Sequence, residues 1–482
     1  MSTTIVPAGS DPAHFAERVW RAGAAVIGLL AITAVALVYL VAIFAAEFIV
    51  LIPIAILGLG GAIVLFQYPT ANLIVLLASV IFALNFEPGF QLPEILFGLY
   101  YSAFMLFWCG RTLLDPKRSF ITSTIDVVLA GFIFYVTASF ALTVLYGGDL
   151  RAALSEWVAL SFLGLYFPVR ELCRDHRNGS KMVVWIIIGI GVFVAVRNLY
   201  AYAARLENAE HLYQIVTGRV MLNDNVLMVA SVAALVVLLF AERKRNRLLS
   251  LLLFLFIFAS LIFTQSRTFW VAFVFGVGVV FLIVEARYKR RVIILMGAGV
   301  VSFLAAGVLF FGDMLGLILG ALVDRMATIG SAAESDISLR SRGYEALAAL
   351  EHIRSNPILG HGVGVSFEFF DIIEKVVKER TFIHNAYVSL LYRFGMIGLV
   401  LMGTFWFLAI KRSVRVARAA SSRRMARTGG LIAAVTLIAF TLSANASNPF
   451  FLMDALFMFG VLTGLGSGTF ERWDSEVAAR AA

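Results

Sequence analysis

Residues 338–344 read Ser-Leu-Arg-Ser-Arg-Gly-Tyr, residues 356–364 read Asn-Pro-Ile-Leu-Gly-His-Gly-Val-Gly, and residues 384–387 read His-Asn-Ala-Tyr. They mark the longest hydrophilic interruption in an otherwise apolar chain, and that contrast decides the fold. Of 482 residues, 61% are hydrophobic and only 14% charged, and the mean hydropathy is +0.92. That lies outside the range of a soluble globular domain. Hydrocarbon offers no water to backbone groups, and the apolar runs approach ~20 residues instead of alternating over about ten. The spans are therefore helices, and an outer-membrane barrel is excluded.

At about 20 apolar residues per span, helices are expected near 21–43, 47–66, 70–85, 93–110, 124–146, 152–170, 181–200 and 222–241. Six more are expected near 248–265, 268–285, 291–311, 384–410, 428–445 and 450–468. The expectation is an all-α, polytopic bundle of about 14 transmembrane helices. It forms one integral membrane domain, 1–482, with a large helical outward-facing loop at 312–383. The N-terminus, Met1 to Trp20, precedes an apolar run too long for a cleaved signal peptide, so the first span is expected to stay as an anchor.

Basic residues resist translocation and set orientation. Segments 111–118, 170–181, 243–247, 287–291 and 411–427, with the termini, hold most of the 39 Lys and Arg. That side is assigned to the cytoplasm, and both termini with it. The net charge of +9 sits in these short clusters, so no nucleic-acid partner is expected. Cys109 and Cys173 are too few for a disulfide framework or a thiolate metal site.

The remaining arginines oppose the topological rule and need another reason to be there. They include Arg151, Arg197, Arg205, Arg219, Arg267, Arg325, Arg340, Arg342 and Arg354, mostly in or beside three outward segments: 201–221, the turn 264–268 and the loop 312–383. Within the loop, 338–355 reads as an amphipathic helix with Leu339, Gly343, Leu347, Leu350 and Arg354 on one stripe. Asn356-Pro357 ends it. Gly360, Gly362 and Gly364 permit a tight path. Residues 366–380 read as a second amphipathic helix, with Asp371–Lys375 and Glu374–Lys378 four apart.

Arg267, in a short turn between two apolar helices, reads either as a phosphate ligand or as a snorkelling helix-end cation. Arg340 and Arg342 sit near a helix N-terminus that favours anions, and compete with a reading as solvated charges paired with Glu345 or Asp336. His384, beside Asn385, is either a base for an attacking hydroxyl or an interfacial polar residue. His361 reads as a turn residue and His211 as a weaker outward candidate. Asn223-Asp224-Asn225 reads as a helix cap. The sequence holds no P-loop, no His-Glu-x-x-His, no Cys or His cluster and no outward Asp-x-Asp pair. A metal-independent mechanism follows by elimination, and no cofactor is expected.

Ser-Arg-Thr at 266–268, Arg342 and Tyr344 leading into Asn-Pro-Ile-Leu-Gly-His-Gly-Val-Gly, and His-Asn-Ala-Tyr followed by Phe-Gly-Met-Ile-Gly together resemble the O-antigen ligase and polymerase superfamily. The resemblance covers about 266–410; the first half is similar only in being a run of spans. It implies an inverting, metal-independent GT-C type glycosyltransferase at the periplasmic face of a bacterial inner membrane. The donor would be a glycan on undecaprenyl diphosphate, and the acceptor the lipid A core or another glycan. Arg267 and Arg342 would hold the donor diphosphate and His384 would be the base. Arg340, Arg205, Arg219, Asn385 and Tyr344 stand as additional substrate contacts, and membrane lipids surround the bundle. The acceptor leans to that of a ligase, with a polymerase close behind. A lipid-linked sugar transporter or flippase would instead place charges deep in the bundle and show paired halves.

Overall fold

The computed structural model describes residues 66–84, 92–207, 223–311, 320, 323, 337–419 and 424–481. The spans expected at 21–43 and 47–66 fall outside these, save Phe66. The described residues divide into two units: one holds those up to Leu76 with Leu99–Phe120, and the other holds Leu77–Gly98 and Ile121–Ala482. In the smaller unit the Tyr100 hydroxyl donates to Asn72 Oδ1 at 2.5 Å, and Trp108 stacks edge-on to Phe120. Every described candidate site residue lies in the larger unit.

Along the chain run α1 (Pro69–Ser79), α2 (Leu92–Leu114), α3 (Thr124–Ala138), α4 (Phe140–Leu145), α5 (Leu150–Ser161), α6 (Tyr166–Asp175), α7 (Gly179–Glu207) and α8 (Asp224–Leu239). They are followed by α9 (Lys244–Phe263), α10 (Arg267–Ile283), α11 (Ala286–Phe311), α12 (Ile337–Ile353), α13 (Ala386–Ala419), α14 (Arg424–Ser443) and α15 (Met453–Ala481). Among the described residues eight helical segments are long and apolar enough to cross a membrane, with three shorter apolar ones. The architecture is a helical membrane bundle.

The larger unit is built around α15, which is buried along most of its apolar length. Small residues make this possible. A Cβ on Gly460 would lie 2.3 Å from the Phe162 carbonyl oxygen, on Gly464 2.8 Å from that of Tyr166, and on Gly468 2.3 Å from that of Arg170. Glycines four apart form one smooth stripe, and two backbones close on it, as in membrane helix pairs generally. At one end of the bundle Arg170 pairs with Asp126, which also accepts from the Tyr166 hydroxyl at 2.7 Å. Arg412 meets Glu471 at 3.2 Å at the same end. These buried charges are tolerated because they are paired.

At the other end the loop 356–364 threads into the bundle. Helix α13 is broken at Gly395, whose φ is 57°, and the break frees backbone groups that the loop takes up. His361 N–H donates to the Tyr392 carbonyl and Gly362 N–H to that of Arg393, both at 2.9 Å, while Met396 N–H donates to Pro357 at 2.9 Å. Gly360, Gly362 and Gly364 all have positive φ, and a Cβ on Gly362 would meet the Thr143 nitrogen at 2.7 Å. Only glycine satisfies both the dihedral and the clearance.

Two expectations for the loop are corrected. Residues 367–380 form not a helix but an antiparallel hairpin, β1 (Phe367–Asp371) and β2 (Val376–Arg380), with Phe369 opposite Lys378. Phe367, Phe369 and Asp371 alternate inward with period 2, and Lys378 Nζ reaches Asp371 across the hairpin at 2.9 Å. The charges spaced for a helix face serve a turn instead, so among the described residues the fold is all-α save for this hairpin. Helix α12 is present, but its faces are reversed from expectation. Leu347 is 61% exposed, whereas Glu345, Ala349 and Ile353 are buried against β1 and α13. Asn223 does stand at the N-cap position of α8, but its side chain makes no cap bond; its Oδ1 accepts from Arg197 at 2.6 Å instead.

Candidate active site

The residue after the loop that carries most of the geometry is His384. It does not open α13, as expected; Asn385 precedes the helix and caps it, its Oδ1 accepting from Tyr387 N–H at 3.0 Å and Val388 N–H at 3.1 Å. That leaves His384 just outside the helix, with its backbone free to bond elsewhere. Its N–H donates to Glu345 Oε1 at 2.6 Å, and its ring Nδ1 lies 2.9 Å from Glu345 Oε2. The Phe382 ring stands edge-on to the imidazole at 5.1 Å and 87°. The His384 side chain is 29% exposed and that of Glu345 3%, so the carboxylate is buried while the imidazole is partly exposed.

Arg342, on the same helix as Glu345, donates from Nη1 to the Ala446 carbonyl at 2.7 Å. The turn 444–448 also receives Asn385 Nδ2 on Asn445 at 3.3 Å and Ala386 N–H on Ala444 at 2.9 Å. Asn448 Nδ2 returns to the Ile383 carbonyl at 2.6 Å. One turn thus gathers Arg342, Asn385 and the backbone on both sides of His384.

Arg267 is the first residue of α10. The turn before it is fixed by Gln265 with φ of 53° and by Trp270 Nε1 donating to the Leu261 carbonyl at 3.0 Å. Helices α10 and α14 are antiparallel: Arg427 meets Glu285 at 2.9 Å at one end, and a Cβ on Gly276 would face Val435 at 3.3 Å midway. Continuing that register to the start of α10 sets Arg267 level with the turn 444–448. Arg340 and Tyr344 lie on the exposed side of α12, away from the His384 contact. Arg205 is near the C-terminal end of α7, and Arg219 and His211 lie outside the described residues.

His361 is more than a turn residue. It is 6% exposed, stacked on Tyr392 at 4.7 Å and 16°, with Nε2 3.0 Å from the Ser355 hydroxyl. Burial pushes its pKa below the ordinary 6.5. Its role is to hold the loop. A second buried group, Arg393, does the same: it pairs with Glu156 at 2.6 Å and 2.8 Å and lies over the Phe451 ring at 4.2 Å. Glu156 also accepts from Gly364 N–H at 2.9 Å.

Sequence reasoning missed Glu345, which had figured only as a surface partner for Arg342. Its signal was available: Glu345, Ala349 and Ile353 are spaced four apart, and a carboxylate on the packed stripe of a helix needs a partner.

The model of a family described as O-Antigen ligase matches residues 251–403. The match spans Arg267, Arg342, Glu345, His384 and Asn385. No curated protein gives a significant match to the chain.

Proposed function

We propose that the protein is an O-antigen ligase, on the premise that residues 251–403 match the model of a family described as O-Antigen ligase. It would move a glycan from undecaprenyl diphosphate to a hydroxyl of the lipid A core, at the periplasmic face of an inner membrane. The observation that carries this reading is the gathering on the turn 444–448 of Arg342, Asn385 and the backbone on both sides of His384.

His384 takes the proton of the acceptor hydroxyl as its oxygen attacks the anomeric carbon. The new oxygen–carbon bond forms opposite the leaving group, so the sugar inverts. The anomeric carbon–phosphate oxygen bond breaks with its electron pair on the lipid diphosphate. Arg342 and Arg267 hold that diphosphate, and fixed guanidinium groups stabilise its growing charge most effectively at a low-dielectric boundary. Asn385 keeps the chain at His384 in place, and Arg340, Tyr344, Arg205 and Arg219 contact the glycan or the lipid headgroup. No step calls on a metal or cofactor. The polar loop lies between hydrophobic spans that give the polyprenyl tail its groove.

The acceptor separates a ligase from a polymerase, and the lipopolysaccharide of a deletion strain tests it. Bare core with long lipid-linked glycan accumulating is the expected result. Core carrying a single repeat identifies a polymerase, and an unchanged profile overturns both assignments. In the same strain Arg342→Ala is expected to reach the membrane at wild-type level and fail to restore the wild-type profile.

A further inference from the structure

We propose that Glu345 is the positioning residue of this site, fixing the His384 ring with Nδ1 as hydrogen donor so that Nε2 is the bare, proton-accepting edge. The inference rests on the reading of His384 as the base. Glu345 is 2% exposed, and a carboxylate so far from water is costly unless donors surround it. Its two donors both come from His384: the backbone N–H at 2.6 Å, and Nδ1 at 2.9 Å from Oε2 and 3.2 Å from Oε1. An ionised carboxylate only accepts hydrogen bonds. Nδ1 therefore carries the hydrogen, and in the neutral imidazole Nε2 has the lone pair.

Gripping main chain and ring with one carboxylate leaves the imidazole little freedom to turn, and the Phe382 edge closes another side. Among the described residues no hydrogen bond engages Nε2, and the His384 side chain keeps 29% of its surface exposed. When the acceptor hydroxyl gives its proton to Nε2, the imidazolium forms beside a carboxylate already in place. The proton then leaves Nε2 for water. A carboxylate behind a catalytic imidazole does the same in hydrolytic triads.

The direct test is nitrogen NMR of the full-length protein labelled with 15N-histidine in nanodiscs, His384 being assigned by its loss in His384→Ala. The neutral ring is expected to carry its hydrogen on Nδ1; a hydrogen on Nε2 overturns the proposal without any appeal to activity. The second test is transfer from an undecaprenyl-diphosphate-linked glycan to lipid A core. Glu345→Gln is expected to lower kcat by at least ~100-fold with KM for the donor within about twofold. Wild-type kcat in Glu345→Gln, with His384→Ala inactive, overturns the role of Glu345 alone. Full activity in His384→Ala overturns the reading on which it rests.

Discussion

Arg393 is fully buried and its charge is answered by Glu156, Ser389 and the face of Phe451. Removing one member of a buried pair strands the other, at a typical cost of about 3–5 kcal/mol. Arg393→Ala is therefore expected to lower the thermal unfolding midpoint in detergent by several degrees or more; an unchanged midpoint would show that the pair contributes little. His361 predicts a pH dependence. Its folded pKa lies below the ordinary 6.5 because burial disfavours the cation, so the unfolded chain binds the proton first as pH falls. Stability from this group is complete above about pH 6.5 and is lost as pH drops through the folded value. The unfolding midpoint should fall more between about pH 7.5 and 5.5 in wild type than in His361→Gln, and equal slopes would contradict the assignment. At this scale the sequence offered Arg267, Arg342 and His384 as residue types suited to the proposed chemistry. It did not reveal Glu345, because that contact joins residues 39 apart and no local pattern names both partners.

Elements were legible where one periodicity was unambiguous and misread where two fitted. Residues 367–380 carry charges four apart, which suit a helix, yet Phe367 and Phe369 flank Glu368 at strand spacing and Val376-Val377 favours a strand. Tertiary packing of Phe367 and Phe369 against Tyr392 and Ile353 decides for the hairpin. The reversed faces of α12 have a related cause, since its leucines meet solvent while its small residues pack. The glycine stripe of α15 gives a prediction at this scale. A valine at 464 would push its Cβ into the Tyr166 carbonyl and Val169, and such overpacking costs roughly 1–3 kcal/mol. Gly464→Val should lower the unfolding midpoint, whereas Gly403→Ala, which meets nothing within 4 Å, should not. Equal effects would show that α6 and α15 do not depend on close approach.

For the whole molecule, composition and apolar run length were enough to establish a helical membrane bundle. They were not enough to count its crossings. Helix α8 has 16 residues and is buried along nearly its whole length; at 1.5 Å per residue it spans about 24 Å, short of the ~30 Å hydrocarbon core. Protein, not lipid, surrounds it, so span length and bilayer thickness need not agree. The two ends of the larger unit divide the labour. One is tied by Asp126, Arg170, Arg412 and Glu471, and the other holds the threaded loop, the hairpin and the turn 444–448. The central claim is that this second end carries out glycosyl transfer with His384 as base. The most direct measurement is the single-turnover rate of glycan transfer by purified His384→Ala in nanodiscs, from undecaprenyl-diphosphate-linked glycan to lipid A core. The account predicts a loss of about 10²–10⁴-fold with donor binding retained; transfer at the wild-type rate would contradict it.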